Sequence, residues 1–236
     1  MIALFSPYFD SLGLVWAIII INLWVGTLIG FLGLDLAELS PFFWVMIVLI
    51  RTFFHTGLFI VAHDSMHGSL VPGCASLNRG LGQLALSFYA ILPYDRAQIN
   101  HHQHHATPGQ STDPDFHDGI HRNPFLWYLQ FLGAYLSISQ MLVFLTIVGS
   151  VLLGLVLGCH VSVVNCIFVW MLPLILSSMQ LFCFGTYFPH RNSQLQPQST
   201  YYPKWLSFLI CYHFSYHQEH HQYPHVAWYR LPNCKS

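Results

Sequence analysis

The feature that most constrains this chain is a set of four apolar stretches, each longer than the roughly 20 residues that a helix needs to cross a bilayer. They occupy residues 11–34, 41–62, 131–158 and 161–188. Only 7% of the 236 residues are charged, whereas soluble domains have about 25%, so a water-soluble surface of this size is excluded. The sequence therefore predicts an all-α integral membrane protein with four transmembrane helices.

The remaining composition excludes several other classes of protein. A net charge of −1 argues against nucleic-acid binding, which needs an excess of basic residues. The six cysteines form no C-x-x-C pair, and we expect them to be small buried hydrophobes rather than metal thiolates or disulfides. No repeat or low-complexity tract divides the chain, so we expect a single membrane-embedded domain over residues 1–236. The first stretch is too long for a signal peptide, and no basic segment precedes it.

Several helix boundaries can be predicted from local chemistry. Ser40 and Pro41 predict the start of the second span, because Ser is favoured at the N-cap and Pro at the first helical position. If this helix continues to His67, it is about 40 Å long. Pro173 is expected to kink the fourth span. The apolar stretch 81–92 is too short to cross a membrane, so we expect it to be interfacial or re-entrant, and further cytoplasmic or interfacial helices to carry polar residues.

The distribution of Lys and Arg predicts the orientation of the spans. Basic residues follow the second and fourth stretches, whereas the 35–40 loop and the 158–160 turn have none. The positive-inside rule therefore places the 63–130 loop and both termini in the cytoplasm. These bases are Arg79, Arg96, Arg122, Arg191, Lys204, Arg230 and Lys235. The exception is Arg51, near mid-membrane, which either faces the bundle interior beside His55 or lines a polar cavity.

Histidine is unusually abundant, with 16 residues, and three clusters of it follow the helical repeat. Residues three and four apart share one face of a helix, which groups the first and last histidines of H-x-x-x-H and all three of each H-x-x-H-H. The predicted ligands are His63 and His67; His101, His104 and His105; and His217, His220 and His221. His102 is rotated about 100° from His101 and is expected to point elsewhere.

Eight clustered imidazoles are too many for one ion and suit two metals. Imidazole binds zinc, copper, iron or nickel, and the lack of thiolates weighs against an iron–sulfur cluster. The Glu-x-x-His motif of carboxylate-bridged di-iron bundles is missing from the clusters, so an all-histidine di-iron site is favoured. The alternative is a set of interfacial histidines without a common role, which fits poorly with three clusters at the same ends of the spans.

His190 is predicted as a ninth metal ligand. The fourth span delivers it to the same edge as the three clusters, and Pro189 would disturb the helix there and turn the next side chain inward. A ninth ligand also helps to fill coordination shells that eight histidines leave short. The alternative is a solvated histidine at a helix end.

Three acids are candidate catalytic-site residues that would orient histidines by hydrogen bonding. Asp64 follows a predicted ligand, and Asp113 and Asp115 follow the second cluster. Their alternatives are a solvated acid at a helix end and turn formation around Pro114. Glu219 is expected at the surface, and Trp228 and Tyr229 as interfacial anchors. Six histidines without cluster spacing are expected to be non-ligands: His55, His117, His121, His160, His213 and His225.

Five sequence motifs contain the predicted histidines and acids. They are H-D-S-M-H-G (63–68), N-H-H-Q-H-H-A (100–106), D-P-D-F (113–116), F-G-T-Y-F-P-H-R (184–191) and Y-H-Q-E-H-H-Q-Y-P (216–224). Together they resemble the membrane fatty-acid-desaturase and hydroxylase superfamily and, within it, the bacterial-type β-carotene 4-ketolase family. The resemblance extends from about residue 60 to 232. Ala227 stands where that family usually has proline, a difference that bears on substrate range rather than on metal chemistry.

The resemblance implies an iron-dependent oxygenase with two non-haem irons and dioxygen as cosubstrate. It would convert the ring carbon-4 methylene of β-carotene to a ketone by two hydroxylations and loss of water, giving echinenone and canthaxanthin. Zeaxanthin and similar hydroxylated carotenoids would give astaxanthin-type pigments. The sequence has no familiar nicotinamide or flavin motif, so an external donor of the ferredoxin type is expected. The implied location is a bacterial cytoplasmic or thylakoid membrane, with the site on the cytoplasmic side.

Other functions share some of these features. A β-carotene hydroxylase, an acyl-lipid desaturase or an alkane hydroxylase would have similar histidine boxes. A membrane haem protein would place histidines within facing spans instead. A metal transporter would need polar residues along a path through several spans.

Overall fold

The computed structural model describes residues 12–119, 123–192 and 196–234. Throughout these residues the regular secondary structure is helical, without strands, which confirms the all-α class. The helices are α1 (Leu12–Leu32), α2 (Pro41–Met66), α3 (Ala75–Ala90), α4 (Tyr94–Ala106), α5 (Pro124–Tyr135), α6 (Ile138–Gly158), α7 (Val163–His190), α8 (Lys204–Cys211) and α9 (His217–Gln222). His121, Arg122 and Lys235 lie outside the described residues.

Four of these helices, α1, α2, α6 and α7, are long and apolar enough to cross a membrane, which confirms the predicted number of spans. The third span begins at Ile138 rather than near residue 131, because residues 124–135 form the separate helix α5. Ser137 is the N-cap of α6, where its side chain accepts a hydrogen bond from the Gln140 amide. The apolar stretch 81–92 belongs largely to α3, which ends at Ile91 in the left-handed conformation with φ of 56°.

Helix α2 is the centre of the bundle, and it packs against α1, α3 and α7. In the most apolar part of α2, 61% of the residues are buried, whereas only 6% are buried in the most apolar part of α6. Helix α6 therefore stands at the periphery and packs loosely. The central position of α2 holds its C-terminal end, with His63 and His67, firmly against the elements that follow it.

Two prolines in α7 are accommodated by π-helical turns. One turn covers Ile167–Met171 before Pro173, and the other covers Cys183–Tyr187 before Pro189. Proline has no amide hydrogen, so the carbonyl four residues earlier loses its usual partner. At Pro173 this carbonyl belongs to Val169, and it accepts a hydrogen bond from Nε of Arg51 at 3.0 Å. The disturbance predicted at Pro173 thus creates an acceptor for a buried cation.

Arg51 faces the interior of the bundle, which decides between its two predicted environments. Its Nη1 donates to the Trp24 carbonyl at 2.6 Å and to Oγ1 of Thr27 at 2.8 Å. His55 lies nearby, where its Nδ1 accepts from Nε1 of Trp24 at 3.0 Å and its Nε2 is 2.9 Å from the Tyr89 carbonyl. These contacts tie α1 and α3 to α2 and make His55 a structural residue, as expected for a non-ligand.

Candidate metal centre

The ends of α2 and α7, together with α4 and α9, bring the predicted histidines into one place. We name two groups. The first histidine group is His63, His67, His101 and His220, and the second is His104, His190, His217 and His221. Within each group one ring nitrogen of every residue lies within 4.8 Å of the others. Each group therefore has the dimensions of a site for one metal ion.

The first histidine group joins α2 to α4 and α9. His63 and His67 are one helical turn apart on α2 and project from the same face. Nε2 of His67 is 2.7 Å from Nε2 of His101, and Nε2 of His63 is 3.1 Å from Nε2 of His220. The ring nitrogens therefore converge on a common centre from three helices.

The second histidine group joins α4 and α9 to α7. Nε2 of His221 lies 3.1 Å from Nε2 of His104 and 3.0 Å from Nε2 of His217. His190 completes the group, with its Nε2 3.3 Å from that of His217. It is buried, and the π turn that precedes Pro189 leads into it. The structure thus brings the predicted ninth histidine to the same place as the clusters.

His105 lies between the two groups. Its Nε2 is 2.9 Å from Nε2 of His220 in the first group, and its ring stacks on His221 of the second with 4.1 Å between centroids. His102 behaves differently, because its side chain leaves the cluster and its Nε2 is 3.0 Å from the Met66 carbonyl. Adjacent histidines of one helix therefore have separate surroundings, as the helical repeat predicts.

Burial makes most of these histidines neutral. It lowers the pKa of His101, His217 and His220 well below the usual histidine range, and the neighbouring imidazoles lower it further. For His105 burial lowers the pKa to about 2. Neutral imidazole is the form that binds a metal, so this protonation state suits coordination.

His104 is the exception, because two carboxylates act on it. Burial alone would lower its pKa, but Asp115 and Asp113 outweigh burial and raise it. Both carboxylate oxygens of Asp113 lie near Nδ1 of His104, at 2.9 and 3.0 Å. This contact holds the ring hydrogen on Nδ1 and leaves Nε2 free to face His221. Such a carboxylate–histidine pair is the usual support of a metal ligand.

Asp115 supports the site from the side of α5. Its Oδ1 accepts a hydrogen bond from the Tyr135 hydroxyl at 2.8 Å, and its carbonyl accepts one from Nε1 of Trp127 at 2.8 Å. Burial raises the pKa of Asp115 to about 6. Its Oδ2 is 4.0 Å from Nδ1 of His104, so Asp113 is the acid that orients this histidine directly.

Asp64 connects α2 to the C-terminal segment. Its Oδ1 is 3.3 Å from Nδ1 of His63, and its Oδ2 accepts from the Trp228 backbone amide at 3.0 Å. The expectation that Trp228 is an interfacial anchor is wrong, because its side chain is buried and stacks on Phe208. The C-terminal segment therefore helps to hold His63 of the first histidine group in place.

Glu219 also differs from its prediction. It points away from the predicted ligands, as expected, but it is buried rather than on the surface. Its carboxylate accepts hydrogen bonds from the hydroxyls of Ser199 and Tyr201. These contacts hold α9 to the preceding loop. Within the described part of the chain, the other histidines predicted as non-ligands join neither group: His55, His117, His160, His213 and His225.

One cavity is lined by histidines of both groups, and a second cavity lies next to it. The metal-side cavity is small and is lined by His63, His101, His104 and His217, among others. The apolar cavity next to it has a volume of about 180 Å³ and extends between α3, α5, α6 and α7. Four residues line both cavities: Phe59, Phe131, Tyr135 and Leu181. These four residues could not be identified from the sequence, because no spacing or motif separates them from ordinary core residues.

Comparison with known proteins identifies the family of this chain. The sequence matches the fatty acid desaturase family over residues 39–147 and 130–236. The chain belongs to that family. It is 39% identical over 207 residues to a β-carotene ketolase of Paracoccus sp. (strain PC1), covering 85% of this chain and 82% of that protein. The resemblance to bacterial-type β-carotene 4-ketolases is confirmed.

Two further relatives agree with this family. A β-carotene ketolase of Paracoccus sp. (strain N81106 / MBIC 01143) is 40% identical over 192 residues, which cover 78% of this chain and 76% of the relative. A zeaxanthin 4-ketolase of Chlamydomonas reinhardtii is 38% identical over 193 residues, which cover 78% of this chain and 42% of that longer protein.

Proposed function

We propose that this protein is a non-haem di-iron oxygenase that converts the ring carbon-4 methylene of a β-ring carotenoid to a ketone. The observation that carries the proposal is an apolar cavity next to a smaller cavity that residues of both four-histidine groups line, in a chain 39–40% identical to β-carotene ketolases. A long apolar substrate fits this arrangement, since ligand cavities are mostly apolar with a few convergent polar groups.

The donor set fits two iron ions. The first and second histidine groups would each hold one ion, and His105 lies where it can contribute to either. In the second group Nδ1 of His104 is bound to Asp113, so its Nε2 presents a lone pair towards His221, whose Nε2 is 3.1 Å away. A cation between such buried, facing nitrogens would compensate their lone pairs.

Iron, when bound, would supply the reduction of dioxygen and the oxidation of the substrate carbon. The residues of the chain have other tasks. Asp113 keeps the hydrogen of His104 on Nδ1, and Asp64 supports His63. Phe59, Phe131 and Leu181 surround the space beside the histidines, exclude water and hold the ring of the substrate there.

Conversion of one ring methylene to a ketone consumes two molecules of dioxygen. Each hydroxylation takes one dioxygen, two electrons and two protons, and it releases one water; the geminal diol then loses water to give the ketone. The electrons must come from outside, and a ferredoxin-type donor is the class that the family resemblance supports. We further propose that the histidine ends of the spans face the cytoplasm, where Arg79, Arg191 and Lys204 follow spans two and four.

The test is expression in a bacterium that makes β-carotene, followed by chromatography of the pigments. We expect echinenone and canthaxanthin, with a shift from yellow to orange-red. Accumulation of ring alcohols without ketone would assign the chain to the hydroxylases instead. Unchanged β-carotene in cells that contain the folded, iron-loaded protein would refute a carotenoid substrate.

A further inference from the structure

A third cavity lies next to the apolar cavity and shares no lining residue with the metal-side cavity. This distal cavity has a volume of about 170 Å³, and it lies between α1, α3, α6 and α7. It shares Tyr89, Ala90, Phe144 and Leu174 with the apolar cavity described above. The three cavities therefore adjoin one another in series, from the metal-side cavity to the distal cavity within the span bundle.

The three cavities together extend about as far as the chain that separates the two rings of a carotenoid. Thr186 lines the metal-side cavity and Trp170 lines the distal cavity, and both residues belong to α7. The two residues are sixteen positions apart in the chain, which corresponds to about 24 Å of α-helix. This distance is close to the length of the conjugated chain that separates the two rings of a carotenoid. A substrate with one ring beside the histidines would thus bring its other ring to Trp170.

Most side chains that line the distal cavity are apolar, and Ser87 and two tryptophans add polar groups. Nε1 of Trp170 is buried and has no hydrogen-bond partner among the residues that the structure describes. The other tryptophan of the cavity, Trp24, donates its Nε1 hydrogen to His55. An indole N–H can only donate, and a buried donor without an acceptor is costly. A ligand with an oxygen atom at this point would satisfy it, whereas a hydrocarbon ring would not.

We propose that the distal cavity binds the far ring of the carotenoid, and that Trp170 donates a hydrogen bond to an oxygen on that ring. This inference rests on the proposed function and deepens it. After the first ketolation the product turns end for end, so that its new ketone occupies the distal cavity while the second ring reaches the histidines. Trp170 thereby favours substrates that already carry one oxygenated ring.

The test compares two substrates with the intact protein in membranes that contain an electron donor. The rate of echinenone conversion is divided by the rate of β-carotene conversion, for the wild type and for Trp170→Phe. Loss of one hydrogen bond should lower this ratio roughly threefold to tenfold, and the ratio cancels any loss of rate that the two substrates share. An unchanged ratio in an active variant overturns the inference but leaves the proposed function intact. A wild type that makes no ketone overturns both.

A second variant tests the distal cavity independently of Trp170. Val148 lines it and is buried, whereas Leu145 on the same helix is exposed and lines none of the three cavities described here. Val148→Phe should lower β-carotene conversion at least tenfold but spare a shortened apocarotenoid with a single β-ring, and Leu145→Phe should affect neither. Equal rates for β-carotene in Val148→Phe and the wild type, or equal loss of both substrates, would contradict a distal-ring site.

Discussion

His101 and His102 are neighbours in the sequence but have different environments. His101 lies in the first histidine group, whereas Nε2 of His102 is directed at the Met66 carbonyl. We expect His101→Ala to abolish ketone formation, because it removes a predicted metal ligand, and His102→Ala to keep substantial activity. Pigment analysis with immunoblotting measures both effects. Equal loss in the two variants would mean that the ligand face of α4 is not the one described.

His190 allows the two metal positions to be separated. It belongs to the second histidine group and to no sequence cluster. We expect His190→Ala to lose activity together with roughly half of the bound iron, because the first group keeps all its histidines. The measurement is iron per folded chain alongside pigment. A folded variant with full iron and normal ketolation would show that His190 is not a ligand.

A substitution of Asp113 tests the carboxylate that orients the predicted ligand His104, rather than the ligand itself. Its carboxylate holds Nδ1 of His104, and it also accepts from the Gly109 amide at 2.8 Å. Asp113→Asn should lower iron affinity or activity by about tenfold to a hundredfold. Asp95→Asn is the matched control, because Asp95 is exposed and pairs with Arg79. Iron retained after dialysis against a chelator is the readout, and similar retention in both variants would remove Asp113 from the metal site.

At the scale of elements, the second π turn of α7 places Gly185 against the substrate path. Gly185 lines the metal-side cavity, and a Cβ atom there would lie 2.7 Å from the ring of Phe214. Gly185→Ala should therefore push this ring into the cavity and lower ketolation about tenfold or more, with bound iron unchanged. Gly149→Ala on α6 is the control, because its Cβ would meet nothing within 4 Å. Equal ketolation rates would show that the cavity beside Phe214 does not hold substrate.

The elements also show how far the sequence can predict this protein. Spans and histidine faces follow from hydropathy and the helical repeat, which are local properties, so α2, α4 and α9 could be anticipated. The break between α5 and α6 was not predicted, because residues 131–158 are mostly apolar on both sides of it and the boundary depends on the Ser137 cap. The burial of Glu219 depends on Ser199 and Tyr201, and no local pattern reports such contacts.

At the scale of the whole molecule, the centre depends on segments far apart in the chain. Residues 63–67, 101–105, 190 and 217–221 meet only because α2 is buried and the later elements pack around its end. The sequence predicted that nine histidines lie together, and the structure brings them to one place, but the cavities were not predicted. The role of these histidines as metal ligands and of the three acids as their support stays a prediction. The apolar and distal cavities border the peripheral helix α6, and cavity shape depends on tertiary packing rather than on residue type.

The most direct test of the central claim is the number of iron ions bound per chain of purified protein that makes ketone. Elemental analysis must accompany an activity assay on the same sample, because an expression host can load zinc into histidine sites. Two four-histidine groups predict about two irons per active chain, together with the absence of haem absorption. An active preparation with one iron per chain, or with haem as its only iron, would contradict the account.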